Sequence, residues 1–152
     1  MDDIDAVLVP ELLTLQEPPT SKDACIEYLL DRAVEADRVT DRSAALEAVL
    51  AREAESTAGI GKGIGLFHAK TDAVGQPTIV FARSNEGVDV DAMDGEPARL
   101  LFMLLAPSDG TDDHLSVLSS LSRALMHDEV RADLHDAASS AEVRNTLVEA
   151  IT

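Results

Sequence analysis

Leu100-Leu101-Phe102-Met103-Leu104-Leu105 is an unbroken apolar run, bounded by Glu96-Pro97 before it and by Pro107-Ser108 after it. A short continuous run between turn residues fits a strand covered on both faces, whereas a strand with one wet face would alternate. That reading implies a central sheet between layers of helices, and the rest of the chain supplies both. Upstream, Ile79, Val80 and Phe81 are β-formers, which predicts a strand over residues 78–82. Residues 64–67 read as another strand, and residues 12–15 as a first one with residues 7–9 an irregular approach. Asn85-Glu86-Gly87 reads as a turn, followed by an acidic loop over residues 88–96.

Helices flank these strands on both sides in sequence. Ser21 caps a helix to about residue 36, with Cys25/Ile26, Leu29/Leu30 and Ala33/Val34 recurring at helical spacing. Cys25 lies on that stripe, so it reads as core rather than as a reactive thiol. Asp41 caps a second helix over residues 42–54, with Ala45, Leu46, Val49 and Leu50 inward. Downstream, Asp112 or Asp113 caps a helix to about residue 126, and a short helix covers residues 128–137. Ser139 and Glu142 then form a capping box before a last helix carrying Val143, Leu147 and Ile151. His127 and His135 read as exposed helix residues. The order of elements is that of an α/β sandwich, and 152 residues without a repeat or linker suit a single domain over 1–152.

Charge narrows the setting. The chain has 29 acidic against 12 basic residues, a net charge of −17, which repels nucleic acids and anionic membranes. Such a surface suits solvation in a salt-rich cytoplasm, where the Debye length shrinks to about 3 Å at 1 M; the competing reading is an acidic protein from ordinary salt. Cys25 is the one cysteine, so no internal disulfide forms. Met1-Asp2-Asp3-Ile4-Asp5 is acidic where a signal peptide is basic, and the run 100–106 is far shorter than the roughly 20 residues of a membrane span. A cytoplasmic location is expected.

The chemistry concentrates in one stretch, Gly59-Ile60-Gly61-Lys62-Gly63-Ile64-Gly65-Leu66-Phe67-His68-Ala69-Lys70-Thr71-Asp72-Ala73-Val74. It holds alternate glycines from Gly59 to Gly65 and two of the three lysines. Lys62 is followed by Gly63 rather than Ser or Thr, so this is no P-loop; the dinucleotide fingerprint fails where its third glycine should replace Ile64. A lone histidine after an apolar run is more often a core residue than a catalyst. Flanked by Lys62 and Lys70, however, His68 suits a group that accepts an anion, here a phosphoryl group. Arg52, near the end of the second helix among Glu53 and Glu55, reads either as a surface ion pair or as a partner for that anion.

The segment from Gly61 to Val74 resembles the active-site signature of the fructose/mannitol-type EIIA proteins of the phosphoenolpyruvate-dependent sugar phosphotransferase system. The resemblance extends over nearly the whole chain, through Arg52-Glu53-Ala54-Glu55-Ser56-Thr57, Glu86-Gly87-Val88-Asp89, Asp94-Gly95-Glu96-Pro97 and His114-Leu115. The Glu-Gly-Val-Asp and Asp-Gly-x-Pro pieces are more like the fructose branch than the mannitol or nitrogen-regulatory branches. The resemblance implies the mannitol-type EIIA fold, a central mixed sheet of about five strands between helices. It implies that His68 takes a phosphoryl group from the carrier HPr and passes it to a cysteine of EIIB, which serves the membrane component EIIC. It matches His114 to the family's second active-site histidine, Arg52 to its arginine, and Lys70 to a position that is commonly basic. It implies no cofactor, metal ion or nucleotide. The other branch, a nitrogen-regulatory EIIA acting without transport, stays open, as does a non-catalytic binding module. One departure stands out: Phe67 occupies the place of a usual proline, which frees the backbone and is expected to set an aromatic ring beside the site.

Overall fold

The computed structural model describes residues 8–55, 59–92, 94–108 and 111–151, and for residue 60 and residues 111–115 the backbone only. The expected approach from Val7, the Ser56-Thr57 part of the resemblance and the side chain of His114 lie outside the described residues. A 3₁₀ turn, Pro10–Leu12, leads into β1 (Leu13–Thr14). Then follow α1 (Lys22–Glu35), α2 (Arg42–Glu55), β2 (Gly59–Gly61), β3 (Ile64–Lys70), β4 (Thr78–Val88), β5 (Ala98–Ala106), α3 (Thr111–Leu125), α4 (Asp128–Asp136) and α5 (Ser140–Ile151).

The strands form one mixed sheet in the order β1-β4-β5-β3-β2. β5 runs parallel to β3 and antiparallel to β4, so it lies between two strands that precede it in sequence. Its apolar run explains the position, because every residue from Leu100 to Ala106 is buried. Alternation divides it between two cores. Leu101, Met103 and Leu105 join a cluster with Cys25, Ile26, Leu29, Ala45 and Val49 of α1 and α2. Leu100, Phe102 and Leu104 join Val117, Leu121, Leu134, Val143 and Leu147 of α3, α4 and α5. The rings of Phe81 and Phe102, paired across β4 and β5, lie 5.0 Å apart by centroid, a favourable aromatic spacing that helps hold the register. The expected sandwich of helices about a mixed sheet is the observed one.

Local signals hold at most helix ends. Ser21 Oγ accepts from Ala24 N at 3.4 Å, and Asp41 Oδ1 from Ala44 N at 3.2 Å. Ser139 Oγ accepts from Glu142 N, and the Glu142 carboxylate accepts from Ala138 N. Three expectations need correction, the first being Leu50, expected inward on α2 but 40% exposed. Asp112 and Asp113 lie inside the first turn of α3 rather than at its cap, since the helix already includes Thr111. Asn85-Glu86-Gly87 is not a turn between elements: β4 continues through it to Val88, with a register shift between Arg83 and Val88. The extra residues are absorbed as a bulge, with Gly87 at φ +90 and the Glu17 carboxylate accepting from Ser84 Oγ, Asn85 N and Glu86 N. The Gly-rich segment is itself a hairpin, β2 to β3, turning on Lys62 and Gly63 at φ +60 and +76, the left-handed pair that a two-residue hairpin loop requires.

Candidate active site

β3 carries its chemistry at its C-terminal end. Ile64 and Leu66 enter the core under α3–α5, while Phe67 and Ala69 enter the one under α1 and α2. By the same alternation His68 and Lys70 fall on the α3 side. There burial gives way: His68 is half-buried and Lys70 exposed. The described pairing of β2 with β3 stops at Gly65, whereas β5 follows β3 through His68 (opposite Leu104) to Lys70 (opposite Ala106).

A cleft of about 480 Å³ opens at this place, lined by Ala48, Ala51, Arg52 and Glu55 of α2, His68, Ala69 and Lys70 of β3, and Leu118 of α3. The fold therefore brings His68, Arg52 and Lys70 into one site from two elements. The expected surface ion pair of Arg52 is present, its Nη1 donating to Glu55 Oε2 at 3.2 Å, and the residue also lines the cleft. Glu55 is a cleft carboxylate that the sequence reading noted only as a neighbour of Arg52; its position three residues further along the same helix was the available signal. His114 stands in the first turn of α3, one helical turn before Leu118. Since β5 ends at Ala106 and α3 opens at Thr111, the start of that helix lies at the same end of the sheet as His68.

Phe67 departs from expectation. It is 1% exposed and packed in the α1/α2 core, so its ring lies on the far side of β3 from His68. Adjacent strand residues face opposite sides, and that places the substitution in the core rather than in the cleft.

The glycines act as supports at the other end of β3, where the hairpin turns. A Cβ on Gly59 would lie 2.6 Å from Ala92 Cα, so only glycine lets the acidic loop between β4 and β5 close over the hairpin. Asp94 of that loop accepts from Lys62 N at 3.0 Å. Backbone N–H groups of Glu96 and Lys62 hold the Asp94 carboxyl below its ordinary pKa of 3.8. Lys62 is thus at a turn tip fastened to the loop, and Lys70 is the cleft lysine. Cys25 is fully buried, and burial pushes its thiol up to about 12, as expected of a core residue. His127 and His135 are exposed, as read from the sequence.

The model of the family described as "Phosphoenolpyruvate-dependent sugar phosphotransferase system, EIIA 2" matches residues 6–150. The chain belongs to this family. It is 56% identical to a PTS system fructose-specific EIIA component of Haloferax volcanii, over 98% of this chain and 97% of that one. The relative from a salt-loving genus fits the reading of the acidic surface as halophilic. The chain is 40% identical to the PTS system fructose-specific EIIABC component of Bacillus subtilis, matching 90% of this chain but 21% of that longer protein. Among solved structures, the nitrogen regulatory protein IIA-Ntr of Neisseria meningitidis superimposes with a TM-score of 0.87 at 32% identity, covering 95% of this chain and 98% of the other. Enzyme IIA of the mannitol system of Escherichia coli, in its complex with phosphorylated enzyme IIB, gives 0.79 at 25% identity over 93% and 97%. The mannitol-type EIIA fold expected from the sequence is therefore the fold of this EIIA chain.

Proposed function

We propose that His68 is the phosphoryl acceptor of a fructose-type EIIA, charged by HPr and discharged to a cysteine of EIIB. The observation that carries this is the shared cleft of His68, Arg52 and Lys70 on a chain 56% identical to a fructose-specific EIIA component. A neutral imidazole nitrogen of His68 attacks the phosphorus of the donor phosphohistidine; the donor N–P bond breaks as the new one forms. A thiolate of EIIB then takes the group, and His68 returns to the neutral imidazole. The transition state is loose, so positioning and charge do most of the work. Arg52 and Lys70 face the phosphoryl oxygens; the backbone N–H groups opening α3, and His114 as the resemblance implies, add donors. Cys25 is not the relay cysteine, being fully buried in the α1/α2 core. The reaction calls on no metal or nucleotide and takes place in the cytoplasm. Contact with EIIC runs through EIIB, as the resemblance implies; among the described residues no helix is long and apolar enough to cross a membrane.

The test is intact mass after incubation with phosphoenolpyruvate, enzyme I and HPr from the same cell. Wild type gains one acid-labile phosphoryl group and His68→Ala gains none; equal labelling of both removes His68 from the role. The nitrogen-regulatory relatives motivate a second reading, a regulator without transport; 30% identity to that protein of Pseudomonas aeruginosa spans 97% of this chain. Discharge to a purified fructose-type EIIB separates the two. A binding module would take no label.

A further inference from the structure

The cleft contains a charge that works against its own task. Its charged side chains are Arg52 and Lys70 on one side of the ledger and Glu55 on the other. A carboxylate beside an arriving phosphoryl dianion raises the energy of that group wherever it is held. Arg52 and Glu55 form an i,i+3 pair whose side chains are 46% and 71% exposed, and pairs so exposed contribute little to folding. Stability therefore does not account for a carboxylate here.

We propose that Glu55 is the counter-charge that keeps the phosphoryl group on His68 transferable. The inference rests on the reading of His68 as acceptor and concerns how firmly that site holds its cargo. A carrier must give up what it accepts. Cations alone would stabilise the phosphohistidine as well as the transition state, and such uniform stabilisation deepens the intermediate without hastening its discharge. Glu55 opposes this in two ways. It lowers the summed charge of the cationic cleft side chains by one, and it holds an Nη1 of Arg52 that the phosphoryl oxygens must share or displace. A guanidinium has five donors in a rigid fork, so sharing is possible without Arg52 leaving the cleft. The pair lies on one helix, three residues apart, which puts the carboxylate within reach of Arg52.

Glu55→Gln keeps the shape and removes the charge. With HPr and EIIA at fixed total phosphoryl, the variant is expected to shift the equilibrium toward phosphorylated EIIA by about tenfold at low salt, the scale of a unit charge acting on a phosphoryl dianion about 5 Å away through a water-like dielectric. The shift should shrink as salt screens it, and the partition between phosphorylated EIIA and EIIB should move toward EIIA by a similar factor. Glu55→Asp, which keeps the charge, should stay near wild type. A second readout needs no partner: inorganic phosphate, titrated while the His68 ring resonances are followed by NMR, should bind more tightly to Glu55→Gln than to wild type. Unchanged partition and unchanged phosphate affinity would overturn the proposal. So would a loss of both, which would make Glu55 a positioning residue for Arg52 instead. Absence of labelling in wild type would sink the acceptor reading alone, since the phosphate titration still reports on Glu55.

Discussion

Single residues show where reading side-chain type is enough and where it is not. His68 stood out only through its flanking lysines and the family signature around it, since a lone histidine after an apolar run is more often core, and the fold places it half-buried at a cleft. Phe67, its neighbour, was legible as a departure from the family pattern, but its effect was not: the ring lies in the opposite core. Glu17 was invisible in sequence, because nothing local says that a carboxylate before two prolines will reach the β4 bulge. There, burial pushes its pKa up, but the hydrogen bonds from Ser84 Oγ, Asn85 N and Glu86 N outweigh this and leave it below the ordinary 4.5. A depressed carboxyl contributes stability above its unfolded pKa and loses it as pH falls through the folded value. Glu17→Gln is therefore expected to cost about 1 kcal/mol at neutral pH. The gap to wild type should close below the ordinary carboxylate value of 4.5. Urea melts of both proteins at neutral and acid pH check this; a gap independent of pH would contradict it.

At the scale of elements, the strongly patterned pieces were readable and the irregular ones were not. β5 announced itself by composition, and α1 and α2 by spacing and caps. β2 did not, because two strand-averse glycines flank its single β-former, Ile60; its pairing rests on Gly65 and Ile64 standing opposite Gly59 and Gly61 across the Lys62-Gly63 turn. The bulge in β4 was read as a turn because Asn-Glu-Gly carries turn chemistry either way. The hairpin gives a test. A methyl at Gly59 would meet Ala92 Cα at 2.6 Å and Ala92 N at 2.8 Å, atoms of backbone that cannot swing aside. Gly59→Ala is expected to destabilise by about 1–3 kcal/mol, as overpacking does, and to lower Tm by several degrees. Gly75→Ala, where nothing lies within 4 Å of the added methyl, is the control and should melt like wild type. Equal melting of both variants would show that the loop does not close on the hairpin.

At the scale of the whole molecule, the dominant property is a net charge of −17. Self-repulsion opposes the compact state and is relieved by screening, so thermal stability is expected to rise from low to molar potassium chloride. Highest stability at low salt would refute the halophilic reading. The same charge makes the cationic side of the cleft, Arg52 and Lys70, a local exception on an acidic protein. What the amino-acid sequence determined alone was whatever depends on near neighbours: the periodicity that makes each helix, the doubly buried strand that implies helices on both faces, and most of the caps. What only the tertiary structure decided was whatever depends on distant ones. That β5 inserts between β3 and β4, that Phe67 faces away from His68, and that the end of α2 brings Arg52 together with Glu55 beside His68 follow from packing two apolar faces at once. Local pattern tells a strand which faces to bury, but only the competing burial of all the strands and helices tells it beside which neighbour.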